Sequence, residues 1–130
     1  MFTIGDVYLY ADSFGPTVSF WQTVFELELV EREDSETAAF AVLDFPYGGP
    51  SLRILSGPGA RVDTGPLFDV LATDFDATLV RALENGGTQK GEIEAYNDLR
   101  VVTVADPAGN QFDLLEQAEF EVIDETPTDE

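Results

Sequence analysis

The chain has 130 residues, 44 % of them apolar and 12 % aromatic, a single-domain length with enough apolar side chain for one continuous core. Against 26 acidic residues stand 6 basic ones, a formal net charge of −20, and such a surface repels nucleic acid and anionic membranes. With no histidine and no cysteine, thiolate chemistry and the usual zinc site are excluded. Any metal site made by the protein alone is then all oxygen, which leaves the hard cations. Carboxylates spread over the whole length, with Lys90 the one lysine, read as a halophilic protein kept soluble in concentrated salt, where a short Debye length removes most self-repulsion. The other reading is an acidic surface that recruits one basic partner. No apolar run is long enough for a membrane span, and the N-terminus lacks the basic start and apolar stretch of a signal peptide, so the cytoplasm is the expected location.

Residues 4–11 alternate and predict a strand. Ser13 stands where a helix cap is wanted, and Val18, Trp21, Val24 and Phe25 then recur at helical spacing, with Trp21 read as helix-to-sheet core. Residues 27–32 and 37–43 predict two strands joined by the acidic turn Glu33-Asp34-Ser35-Glu36. After the loop Pro46-Tyr47-Gly48-Gly49-Pro50 comes a strand over 51–55, and Gly57-Pro58-Gly59 opens a linker that runs to Asp63.

The order then repeats. Residues 67–72 predict a strand, and Asp74 can cap a helix with Phe75, Leu79, Ala82 and Leu83 on one stripe, stopped by Asn85-Gly86-Gly87. Residues 89–94 predict a charged strand, 99–105 a clear one and 111–115 the last. Each half reads strand, helix, strand, strand, strand. The expected organisation is one domain over 1–118, with modules at about 4–57 and 64–117, and an acidic C-terminal tail over 119–130.

These elements resemble the vicinal oxygen chelate superfamily, which includes glyoxalase I, extradiol dioxygenases and bleomycin resistance proteins. The resemblance rests on three stretches within residues 4–117. One is Val7-Tyr8-Leu9-Tyr10-Ala11-Asp12-Ser13 running to Phe20-Trp21, where Ser13 replaces the family's aspartate and Trp21 its tyrosine. The second is Asp74-Phe75-Asp76-Ala77, closed by Gly86-Gly87. The third and most specific is Asp106-Pro107-Ala108-Gly109-Asn110 followed by Phe112-Asp113-Leu114. The fold this implies is α+β, two βαβββ modules forming a cupped mixed β-sheet with helices on its outer face, often with the cup completed in a homodimer. Metal-using members take ligands from the first and fourth strand of each module. Matched by position, those sites fall on Asp6, Arg53, Leu67 and Asp113. Leu67 has no lone pair to offer, and Arg53 brings a permanent positive charge where a divalent ion would sit, so no metal and no other cofactor is expected.

A strand period of two puts Asp6, Tyr8 and Tyr10 on one face, with Ser51, Arg53 and Leu55, then Leu67, Asp69 and Leu71, then Gln111, Asp113 and Leu115. The opposite faces carry Val7, Leu9, Leu52, Ile54, Phe68, Val70, Phe112 and Leu114 and should pack on the helices. A cup of mixed lining suits a small molecule, and the expected ligand-binding set is Asp6, Tyr8, Tyr10, Tyr47, Arg53, Leu67, Asp69 and Asp113. Within it, Arg53 is either a fork for a carboxylate or phosphate, or an internal counter-ion for Asp6 or Asp113 whose removal leaves a buried unpaired charge. Asp6 and Asp113 are the catalytic candidates as general acid or base, set against a plain lining or salt-bridged role. Tyr8 and Tyr10 either stack on a planar ligand or fill a dimer interface, and Tyr47 either closes over a ligand or anchors its loop.

The function expected from these residues is metal-free binding or sequestering of an unidentified small molecule, of the bleomycin-resistance type. The partners are that molecule and a second copy of the chain. The alternative is a lyase, isomerase or dioxygenase-like enzyme with Asp6 and Asp113 around an unusual hard metal.

Overall fold

Alternating apolar residues build two open sheets, and two amphipathic helices fill the space behind them. The computed structural model describes residues 1–2, 4–35, 38–57 and 65–118. The expected C-terminal tail, most of the linker and the tip of the first acidic turn lie outside the described residues.

The first module runs β1 (Val7–Ala11), α1 (Phe14–Phe25), β2 (Glu28–Asp34), β3 (Ala39–Asp44) and β4 (Leu52–Ser56). Its sheet has the order β1-β4-β3-β2, with β1 parallel to β4 and the other pairs antiparallel. The second module runs β5 (Asp69–Ala72), α2 (Phe75–Glu84), β6 (Thr88–Gln89), β7 (Glu94–Tyr96), β8 (Leu99–Ala105) and β9 (Gln111–Glu116). Its sheet is β5-β9-β8-β6, with β7 also on β8 and β5 parallel to β9. The fold is therefore the expected α+β pair of βαβββ modules. One difference is that the single strand expected over 89–94 is two short ones. The chain breaks at Gly91, which takes a φ of 115°, while the Gln89 side chain donates to the Gly91 carbonyl at 2.8 Å.

Local chemistry fixes the helices. Asp74 caps α2, accepting from the Ala77 amide at 3.2 Å. Ser13 does not cap in this way: its hydroxyl lies 3.4 Å from the Thr17 hydroxyl and makes no capping bond to a backbone amide. At the far end of α2, Gly86 takes a φ of 98° and the Gly87 amide donates back to the Ala82 carbonyl at 2.8 Å. A Cβ on Gly87 would sit 2.9 Å from the Phe20 ring, so the helix stop is also where α2 closes on α1. Among the described residues no helix is long and apolar enough to cross a membrane.

One core serves both modules. The expected helix-facing set is there: Leu9, Leu52, Ile54, Val70, Phe112 and Leu114 are buried behind the sheets, with Val7 and Phe68 partly so. From α1, Trp21 reaches across to the second module, its ring 5.8 Å from Phe68 and 4.9 Å from Phe112. Its indole N–H donates to Asp106 Oδ2 at 2.9 Å. Asp106 is 3 % exposed and also accepts from the Ala108 and Asn110 amides at 3.0 and 2.9 Å. The Asn110 side chain donates to Asp106 and, at 3.0 Å, to the Tyr10 carbonyl at the end of β1. The tight turn between β8 and β9 is thus bolted to α1 and β1 of the other module.

Burial pushes the Asp106 carboxyl above its usual range, with the donors from Trp21, Asn110 and Ala108 pulling the other way. Asp106→Ala leaves the indole N–H and two amides without an acceptor, and should lower unfolding free energy by about 2–4 kcal/mol. Urea unfolding in concentrated salt measures this. The sign with pH is also fixed. A carboxyl with a raised folded-state pKa opposes folding while charged, so its unfavourable share should shrink as pH falls through that pKa, and this slope should vanish in the alanine variant.

Candidate functional site

Parallel pairing of β1 with β4 sets Tyr8 opposite Arg53 and Tyr10 opposite Leu55, on the face turned away from the helices. Asp6 precedes β1 on the same side. Arg53 donates its Nε to Asp6 Oδ2 at 2.5 Å, and the Ser51 amide donates to the other oxygen at 3.3 Å. The Ser51 hydroxyl donates to Asp44 at 2.5 Å. The arginine hydrogen bond holds the Asp6 carboxyl below the usual carboxylate range and raises Arg53 in turn. Arg53 is therefore the counter-ion of Asp6, and of the two carboxylates it was matched to, it does not reach Asp113. The pair is half-open, with side chains 38 % and 29 % exposed, so the charge left by removing Arg53 is not deeply buried. Tyr8 and Tyr10 stand exposed beside it.

The second module presents a different face. Parallel register brings Asp69 directly beside Asp113, two like charges side by side. Asp113 Oδ1 accepts from the Thr103 hydroxyl at 2.6 Å. Around them lies a cavity of about 410 Å³ lined also by Lys90, Glu92, Glu94 and Tyr96. Tyr96 donates its hydroxyl to Glu94 at 3.0 Å, and that bond raises the phenol. Leu67 packs against the core at the foot of this sheet, its amide donating to the Gln111 carbonyl at 2.9 Å. Tyr47, on the loop after β3, is largely exposed and lines a separate cavity between the modules.

Within one chain the eight expected residues thus fall into three places: Asp6, Arg53, Tyr8 and Tyr10 on the first face, Asp69 and Asp113 on the second with Leu67 at its foot, and Tyr47 apart. A divalent metal does not fit the four matched positions. One carboxylate is held by a permanent cation, another holds a hydroxyl, and Leu67 has no donor atom. Among the described residues no three acidic side chains are placed to hold a metal ion. Lys90, Glu92, Glu94, Tyr96 and Thr103 were missed from sequence. Thr103 was within reach, since the tight turn centred between Ala105 and Gln111 makes it the antiparallel partner of Asp113.

A family model described as a glyoxalase-like domain matches residues 6–115. Among solved structures, a genomically encoded fosfomycin resistance protein, FosX, from Listeria monocytogenes superposes with a TM-score of 0.75 at 16 % identity, covering 92 % of this chain and 96 % of its own. Another structure of that protein is a complex with Mn(II) and sulfate. A glyoxalase family protein from Bacillus cereus gives 0.74 at 17 % identity, over 92 % and 96 % of the two chains. A glyoxylase/bleomycin resistance protein/dioxygenase domain from Frankia sp. gives 0.68 at 15 %, over 89 % and 98 %. At these identities the likeness is one of fold. A search of the curated proteins finds no match.

Because Asp6 has a depressed folded-state pKa, its contribution to stability is present above the unfolded pKa and lost as pH falls through the folded one. In Arg53→Ala the Asp6 titration, followed by carboxyl NMR, should move up toward the ordinary aspartate value, and that acid loss of stability should disappear. At neutral pH and high salt the melting temperature should change by only a few degrees, because a half-open pair is screened.

Proposed function

The chain belongs to the glyoxalase-like domain family, within the vicinal oxygen chelate superfamily, and on that premise we propose that it binds and sequesters a small molecule without a metal. The observation that carries this reading is the Arg53–Asp6 pair. It fills with an internal cation the place where a relative using the same strands would hold a metal ion. The binding mechanism is reversible enclosure against the open sheet faces, with no bond made or broken. Tyr8, Tyr10 and Tyr96 supply aromatic surface, and Asp69, Asp113, Glu92 and Glu94 outnumber Lys90, which favours a cationic or neutral ligand. The rival reading is a metal-dependent enzyme, and it draws on the Mn(II) complex of the Listeria protein.

The enclosure we propose needs two chains. β1 and β5 are each the end strand of a sheet, so each leaves one ladder edge unpaired among the described residues. A two-fold dimer that sets β1 of one protomer against β5 of its partner covers both edges at once. It also joins the Asp6–Arg53 face of one chain to the Asp69–Asp113 face of the other. With a charge of −20 on each subunit this association belongs to concentrated salt, in the cytoplasm.

Titration calorimetry with Mn(II), Ni(II) and Mg(II), with elemental analysis of the purified protein, tests the metal-free reading. The expected outcome is no stoichiometric ion. One retained ion per chain, lost in Asp6→Asn or Asp113→Asn, would sink the proposal and favour the enzyme. Light scattering at high salt should give about twice the 14.2 kDa chain mass, and a monomer there would remove the two-chain cup.

A further inference from the structure

The segment that leads into β1 reads Met1-Phe2-Thr3-Ile4-Gly5, a stretch without a charged side chain in a chain that carries 26 acids. Met1 and Phe2 stand fully exposed, and Ile4 is 75 % exposed. One apolar side chain in water is ordinary, but several together forgo the free energy of burial and mark a surface that is covered in use. The segment leaves its own sheet at a fixed point, because Asp6 is held on the open face by Arg53 and by the Ser51 amide.

A space suited to it lies between the modules, a cavity of about 710 Å³ bounded by the start of β1, the last turn of α1, the loop after β3 and the passage from β5 into α2. Val24, Phe25, Phe45, Phe68 and Leu71 give it apolar walls, while Glu26, Asp69 and Asp74 add carboxylates to the lining. Most of this chain's surface would bring further acids against those three and be repelled. Residues 1–5 bring none.

We infer that this cavity is the docking site for residues 1–5 of a second copy, with Phe2 as the anchor. The inference rests on the two-chain reading above and adds to it which residues fill the interface. When β1 of one protomer runs antiparallel to β5 of its partner, the residues that precede β1 continue past the end of β5, over Ala72, Thr73 and Asp74, which line the cavity. Five extended residues span up to roughly 17 Å, so the segment can lie across it. The dimer also needs this burial. Edge pairing of two short strands covers little side-chain surface, whereas a stable interface buries about 1,200–2,000 Å². One phenylalanine from each chain supplies roughly 150–250 Å² of that.

The chain has no cysteine, so introduced thiols report contact without background. Phe2→Cys chains are mixed with Thr73→Cys chains in concentrated salt and oxidised, and the products are weighed. The expected result is a mixed two-chain disulfide that forms at least about tenfold faster than from Phe2→Cys with Glu84→Cys, because docking raises the local thiol concentration. Glu84 is also exposed, but it lies at the end of α2 outside the cavity. Replacing both Phe2→Ser and Ile4→Ser should raise the dimer dissociation constant at least about tenfold. The circular dichroism of that variant should match the parent's, since both side chains are exposed in the single chain. Cross-linking no faster than with Glu84→Cys overturns the inference. So does a disulfide within one chain when Phe2→Cys and Thr73→Cys are combined, because the segment then covers its own cavity. A dimer of undiminished strength in the serine variant overturns it as well and leaves the two-chain cup standing, whereas a monomeric parent at high salt removes both.

Discussion

The contact between Trp21 and Asp106 joins halves that otherwise have separate sheets. An indole that belongs to the first module delivers its N–H to a carboxylate that belongs to the second, inside a core where both are nearly sealed from water. A charge in that position is tolerable only because donors converge on it from the turn itself, from Asn110 and from Ala108. The same Asn110 reaches Tyr10 at the end of β1. The turn therefore does two things at once. It reverses β8 into β9, which sets Thr103 against Asp113, and it pins the second sheet to the first helix.

That arrangement decides which surfaces are left for function. With α1 and α2 packed between the modules and Gly87 letting α2 approach Phe20, the apolar face of each sheet is consumed by the shared core. What remains is the opposite face of each sheet and the seam beside the helices. The two faces are chemically unlike. On the first, an acid and a base neutralise each other and leave exposed tyrosines beside them. On the second, Asp69 and Asp113 lie side by side in register, and Lys90 is the one basic side chain lining the cavity around them. Two like charges in register weaken a strand pair.

The fold could be read from the sequence because its signals are local. Alternation in 7–11, 52–56 and 111–116, the Asp74 cap, and the glycines at 86 and 87 each act within a few residues, and strand period alone sorted Leu9, Ile54, Phe112 and Leu114 from Tyr8, Arg53 and Asp113. Ser13 shows the limit, since a residue of the right type stands at the helix start without making the capping bond. The site was less legible. Which face a side chain points to follows from the sequence, but which module lies next to it depends on how the halves dock. That in turn rests on Trp21 meeting a carboxylate 85 residues away. Trp21 was read as core, which it is, but nothing local marks its N–H as the link. Lys90 and Glu92 were hidden for another reason: the break at Gly91 takes them off the single strand expected over 89–94, while Tyr96 stands on β7, past the end of that expected strand.

The scarcity of cations makes the placement of each one informative. Of six basic residues, Arg61 lies outside the described residues, and the other four arginines all engage acceptors of the chain itself. Arg32 pairs with Asp34, Arg53 with Asp6, Arg100 with both Asp76 and Glu116 while its guanidinium lies 4.7 Å over the Phe75 ring, and Arg81 closes the carbonyl end of α1. Guanidinium suits these posts because its planar fork keeps its charge at any working pH and can hold two acceptors at once. A chain with 26 acids that gives its arginines to internal joints leaves its surface almost purely anionic. Salt can screen such a surface, but it does not screen buried or half-buried pairs to the same degree. Raising the salt concentration therefore weakens the repulsion between carboxylates more than it weakens the joints, and the balance shifts toward the folded chain. The same shift lets an apolar cavity and open strand edges exist on one highly charged protein, because self-repulsion discourages indiscriminate contact in dilute buffer while close association is permitted once counter-ions are abundant.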